Sequence, residues 1–145
     1  MRNIVGQQKS TIDFKDIMNT KKILICKFAK GEIGDMNAQL LGLVVTGRLL
    51  ITALERTKQP ETERQPFFLY IDECQNFLTP TITTILAEAR KYGLGLILAN
   101  QFITQLVNKN DTTIKDAVFG NAGTIVSFRI STEDAEFMEK QMDPV

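Results

Sequence analysis

Apolar residues along this chain fall into two kinds of run. Four are short and unbroken: Lys22–Phe28, Phe67–Ile71, Leu94–Ala99 and Thr124–Phe128. They run on without alternation, as strands of a parallel sheet covered on both faces do. Between them the spacing turns helical. Asp35 is placed to cap a helix reaching about Thr57, with Leu40, Leu41, Val44, Val45, Leu49 and Leu50 among its apolar positions. Those positions spread far enough around the helix to predict burial on most sides. Pro60 and Pro66 bracket the polar loop Glu61–Gln65 and end that unit. A second helix is predicted from Pro80 to Tyr92, stopped by Gly93. A further helical segment starts near Phe102, breaks at Lys109-Asn110-Asp111 and resumes over Thr112–Phe119. The last helix begins at Ser131 or Thr132, has Asp134 near its first turn, and runs to Met142 ahead of Pro144.

The resulting order, βαβαβαβα, predicts an α/β fold: a parallel sheet with flanking helices and right-handed crossovers. Ligands on such sheets bind beyond the carboxyl ends of the strands. Chemistry is therefore expected at Phe28–Gly31, Asp72–Gln75, Asn100–Gln101 and Arg129.

Composition narrows the chemistry. With 145 residues, 43% apolar and 23% charged, the chain suits one globular domain with a real core. Seventeen basic residues balance seventeen acidic ones, so no global field draws nucleic acid or anionic lipid to the surface. Any DNA would be handled through a local patch or an assembled ring. There is no histidine, which removes imidazole metal sites, Ser–His and Cys–His nucleophile pairs and a histidine base. Cys26 and Cys74 lack metal-ligand spacing and lie in apolar strand-like surroundings, so both read as buried free thiols. Met1-Arg2-Asn3-Ile4 leads into no apolar run and so gives no secretory signal. The stretch Met36–Leu54 is interrupted by Asn37, Gln39 and Arg48, and reads as a buried helix rather than a membrane span.

The most informative segment is Phe67-Phe68-Leu69-Tyr70-Ile71-Asp72-Glu73, a buried strand that delivers two adjacent carboxylates to the sheet's carboxyl edge. In a nucleotide hydrolase the first carboxylate can hold Mg²⁺, usually through water, and the second can take a proton from the attacking water. A plain acidic loop start would look the same. Asn100-Gln101 closes the next strand; an amide there can donate to a phosphate oxygen, or Asn100 can simply cap a helix. Arg90, near the end of the preceding helix, is either a cation favouring the helix dipole or a finger reaching a neighbouring subunit's nucleotide. Arg129 poses the same choice, with an ion pair to Asp134 or Glu133 as its structural role. Gly6-Gln7-Gln8-Lys9-Ser10-Thr11 echoes a phosphate-binding loop, but Gln8 replaces the glycine before the lysine, the gap is shortened and no strand precedes it.

Together these segments resemble the HerA/FtsK group of ring-forming P-loop ATPases, and most closely the TraG-like coupling ATPases of conjugation and type IV secretion. The likeness runs from about Ser10 onward. Ile23–Gly31 is similar to the strand and turn before the family's long helix, and Phe68-Leu69-Tyr70-Ile71-Asp72-Glu73-Cys74-Gln75-Asn76-Phe77 to its Walker B strand. Glu88-Ala89-Arg90-Lys91-Tyr92-Gly93-Leu94 with Ala99-Asn100-Gln101 resembles its arginine-finger helix and sensor strand. Phe119-Gly120-Asn121-Ala122-Gly123-Thr124 with Phe128-Arg129 resembles the approach to its last core strand.

The resemblance implies the second half of a RecA-like P-loop NTPase core. Residues 1–20 would be a lead-in, and 21–145 the C-terminal part of an ATPase motor domain without its phosphate-binding loop. It further implies ATP and Mg²⁺ as cofactors. Asp72 would support the metal, Glu73 would be the general base, Gln101 the sensor, Arg90 the finger in trans and Arg129 a nucleotide contact. The implied partners are DNA, other copies in a ring, most often a hexamer, and secretion-channel proteins. The implied place is the cytoplasm, at the inner face of the membrane through parts outside this sequence. By this expectation the chain is a fragment that is inactive alone. Two other classes compete. A receiver-like domain would use Asp72 as phosphoacceptor, but needs an acidic cluster after its first strand and a lysine after its last, where Lys27-Phe28-Ala29-Lys30 and Arg129 stand. A non-catalytic assembly module would use the same residues structurally.

Overall fold

A computed structural model of the chain describes residues 6–142 except 8, 81, 82, 84 and 85. The Met1–Ile4 lead, Gln8 of the phosphate-loop echo, Pro144 and the middle of the predicted Pro80–Tyr92 helix lie outside the described residues. Among the described residues the elements are α1 (Phe14–Asn19), α2 (Lys30–Ile33), α3 (Asp35–Glu55), β1 (Phe67–Ile71), β2 (Leu94–Leu98), α4 (Thr113–Asn121) and α5 (Thr132–Met142), joined by several 3₁₀ turns. The fold is mixed α/β, a two-stranded parallel sheet with flanking helices. β1 and β2 pair in register from Phe67↔Leu94 to Ile71↔Leu98.

α3 begins differently from the expectation: Gly34, at φ 80°, is the capping residue and Asp35 is the first helical one. Only glycine takes that backbone conformation freely, and Asp35 then sits where a negative charge favours the helix dipole. The Asn37 amide donates back to the Ile33 carbonyl at 2.7 Å and ties the entry turn. Ala38, Leu41, Gly42, Leu49, Leu50 and Ala53 form the buried stripe. Leu49, Leu50 and Ala53 pack with Met18, Ile71, Cys74, Leu78 and Leu94 into one core. The other side is open: Met36, Leu40, Val44 and Ile51 are exposed, so α3 is buried along one stripe rather than on most sides. By length and composition alone Asp35–Lys58 would pass as a membrane span, with a mean hydropathy of 1.4. Its packed stripe makes it the central helix of this core.

The outer two predicted strands do not form. Residues 22–28 and 124–128 are irregular, and Ile23, Ile25, Val126 and Phe128 are exposed. A strand exists only where its backbone groups find a neighbour, and among the described residues β1 and β2 pair only with each other. Cys26 consequently lies exposed, whereas Cys74 is fully buried as expected. Among the described residues the sheet buries one face. Phe67, Leu69 and Ile71 turn inward while Phe68 and Tyr70 remain exposed. The Phe68 ring lies over Gly95, where a Cβ would meet it at 2.7 Å.

Gly93, at φ 68°, ends the 3₁₀ turn Ala89–Tyr92, the predicted stop before β2. α4 starts one residue later than predicted and continues to Asn121. α5 starts at Thr132, its Asp134 N–H donating to Ser131 Oγ at 3.2 Å in the manner of a helix cap.

Candidate functional site at the carboxyl edge of the sheet

β1 and β2 end side by side, so the residues just past Ile71 and Leu98 meet. The ladder continues one step beyond the strands: Ala99 N–H donates to Ile71 O at 2.9 Å, and Cys74 N–H to Ala99 O at 3.0 Å. This clamps the turn after β1 onto the end of β2. Within that turn Glu73 adopts a left-handed backbone, φ 50° and ψ 47°. A non-glycine residue held there carries local strain that surrounding bonds must offset. They do: the Glu73 carbonyl accepts from Asn76 N–H at 3.0 Å and from the Asn76 side-chain amide at 3.1 Å.

The turn aims the Glu73 carboxylate across the sheet edge. Its Oε1 accepts from the Gln101 amide at 2.5 Å and its Oε2 from the Gln75 amide at 2.6 Å. Asp72 is exposed beside it, with one carboxylate oxygen accepting the Glu73 N–H at 3.0 Å. Three residues singled out from sequence, Asp72, Glu73 and Gln101, are thus brought together, Glu73 and Gln101 from positions 28 apart. Gln75 lay within the expected Asp72–Gln75 edge but was given no role, and Asn76 was not singled out. Their signal was present, in two amide side chains directly following an acidic pair, but only the turn geometry shows that both fold back onto Glu73. Behind the site the Cys74 thiol is buried, and that burial, together with the neighbouring carboxylates, pushes it up to about 11.

Asn100 does not cap a helix; its amide donates to Phe102 O at 2.8 Å within the loop. Phe28 reaches the region from the side, its ring 6.0 Å from that of Phe77. Arg90 lies elsewhere. It sits exposed in the turn entering β2, at the amino edge of the sheet. A five-residue strand rising ~3.3 Å per residue separates that edge from Glu73. Arg129 is exposed too, and among the described residues it pairs with neither Asp134 nor Glu133. Asp134 is buried instead and accepts the Ile103 N–H at 3.3 Å. Among the described residues no three acidic or thiol ligands gather into a metal cluster.

The architecture defines an α/β domain with an acid–amide constellation at the carboxyl edge of a parallel strand pair. Residues 66–141, just over half the chain and including β1, β2 and every candidate site residue, match the family model described as the TraM recognition site of TraD and TraG. The chain belongs to this family and is a TraG/TraD-like conjugation protein. No curated protein and no solved structure matches it.

Proposed function

We propose that this chain forms the Walker B half of an ATP-hydrolysing motor in a conjugation coupling protein, a RecA-like core whose phosphate-binding loop comes from a preceding βα unit. One observation carries the reading: Glu73 and Gln101, just past the ends of neighbouring strands, join at the carboxyl edge with Asp72 beside them. A site that hydrolyses a nucleotide needs a base to take a proton from water and polar groups to contact phosphate, and a carboxylate with an amide beside it can serve as both.

The donor set fits magnesium in the way phosphoryl-transfer sites use it. Mg²⁺ takes one or two carboxylates and fills its octahedron with water and phosphate oxygens, so an exposed Asp72, one oxygen of which has no donor among the described residues, is sufficient and a dense cluster is not required. ATP bound there would supply the phosphoryl group. The chain's own residues would hold the metal (Asp72), take a proton from water (Glu73) and contact phosphate (Gln101). Arg90, on the opposite edge, would serve a neighbouring subunit's site in a ring, a hexamer in this reading, around DNA. Arg129 would contact nucleotide. The motor would work in the cytoplasm at the inner membrane face, against secretion-channel proteins.

A second reading, favoured by the family's description, is a recognition module that docks TraM without chemistry of its own. The two separate in the protein carrying the phosphate-binding loop. Glu73→Gln should keep ATP binding and lose hydrolysis, by 10²-fold or more for a lost base, while Asp72→Asn should weaken Mg²⁺-dependent binding. TraM capture with no ATP turnover by the wild type would sink the motor reading, and one phenotype shared by both variants would argue against the separate roles of Asp72 and Glu73.

A further inference from the structure

We propose that Gln75 is a positioning residue for Glu73. It would hold carboxylate Oε2 fixed while Gln101 acts as the partner that releases Oε1 when a phosphate is presented. This inference rests on the ATPase reading given above.

The two amides that hold Glu73 are not equivalent. Gln75 stands in the same 3₁₀ turn, Cys74–Asn76, and is partly buried. Its own Oε1 is shut off from solvent and has no donor among the described residues. A buried oxygen without a partner is tolerated only where the other end of the amide makes a stronger bond, here a charge-assisted one to the carboxylate. Turning the amide over would set oxygen against oxygen at 2.6 Å, so the carboxylate dictates its orientation. Gln75 therefore has a single favourable pose as long as Glu73 is charged.

Gln101 differs in each respect. It is exposed, it lies past the end of the neighbouring strand, and its amide can exchange Glu73 for another anion without leaving a buried group unpaired. A phosphate oxygen arriving at the sheet edge would compete for that donor. Release of Oε1 frees one carboxylate oxygen toward water. The Gln75 bond, and the Asn76 bonds to the Glu73 carbonyl, keep the side chain from swinging away when Gln101 lets go. A base misplaced by about 1 Å loses on the order of 10² in rate, so the predicted defect is in turnover and not in binding.

Two measurements test this. In the 145-residue chain, side-chain amide NMR should show the Gln75 Nε2 protons shifted and protected from exchange; Glu73→Ala should abolish both features and Gln101→Met should leave them. A Gln75 signal indifferent to Glu73→Ala overturns the pairing. In the protein bearing the phosphate-binding loop, Gln75→Met should lower kcat about 10²-fold with KM within about twofold. If the methionine variant loses thermal stability, Gln75→Ala is read in its place. Unchanged kcat for the Gln75 variant, where Glu73→Gln abolishes hydrolysis, overturns the positioning role and leaves the motor reading intact. No turnover by the wild type sinks the motor reading and the positioning role with it, while the NMR arm still reports the pairing.

Discussion

Arg56 is the residue whose removal should cost this fold most for its size. It follows α3 directly and is only 3% exposed. Its Nη1 donates to Gln65 O at 2.9 Å and Tyr92 O at 3.2 Å, and its Nη2 to Met18 O at 2.9 Å and Asn19 Oδ1 at 3.3 Å. One guanidinium thus gathers the end of α1, the entry to β1 and the entry to β2. Burial, and then the nearby Arg64 charge, lower its pKa from the ordinary guanidinium value, and it nonetheless stays cationic at neutral pH. Arg56→Met keeps the apolar stem, spares the desolvation of a charge, and strands three backbone carbonyls. Each stranded acceptor costs about 1–3 kcal/mol, against a saving of several kcal/mol for the charge. With the two 2.9 Å bonds dominating, the expected net loss is about 3 kcal/mol. For a chain of this length that is a fall in Tm of roughly 10 °C. Arg56→Lys keeps the charge but reaches fewer acceptors, and should lose about half as much. Urea titration followed by circular dichroism reads both, with the midpoint moving and the slope unchanged. A methionine variant as stable as the wild type would show that these carbonyls find other donors and that Arg56 does not hold the three entries together.

Gly42→Ala should destabilise by about 1–2 kcal/mol despite alanine's better helix propensity, because the new Cβ would sit 2.1 Å from the Phe77 ring; a gain in stability by urea titration would show that the ring is not seated there. Timed thiol alkylation at pH 8 should modify exposed Cys26 well before buried Cys74, and equal rates would contradict the Cys74 burial. Because the folded Cys74 thiol is raised to about 11, the unfolded chain loses its proton first; the stability this contributes is complete below the ordinary thiol value and drains away as pH climbs toward 11. Cys74→Ala should flatten that alkaline decline, and an unchanged decline would place its cause elsewhere. On the proposed motor reading, mixing Arg90→Ala subunits with Glu73→Gln subunits should restore part of an ATP turnover that each lacks alone, since some interfaces then pair an intact arginine with an intact base. No recovery at any ratio, with mixed assembly confirmed, would leave Arg90 a cation of the turn entering β2.

What the residue pattern determined is local. Phe67–Ile71 and Leu94–Leu98 are unbroken apolar runs stopped by turn residues, and they became the two strands. Asp35–Glu55 and Thr132–Met142 carry helical spacing with polar starts, and they became helices. The acidic pair past β1 and the amide past β2 followed from where strands of a parallel sheet end. Periodicity could not say which segments find partners. Residues 22–28 and 124–128 have the composition of strands, yet pairing is a contact with another backbone and not a property of the run, so they stay irregular and largely exposed, and Cys26 with them. The same limit applies around α3, whose apolar spread suggested burial on most sides while only one layer packs against it. At the site, sequence placed Glu73 and Gln101 at one edge, but the hydrogen bond between them depends on register. The second hold, from Gln75, depends on Glu73 taking a left-handed backbone that carries no sequence mark outside glycine and asparagine. The turn that holds it is anchored by the Cys74 N–H to the Ala99 carbonyl, one step past the end of β2, a bond between residues 25 positions apart that only the tertiary structure could set.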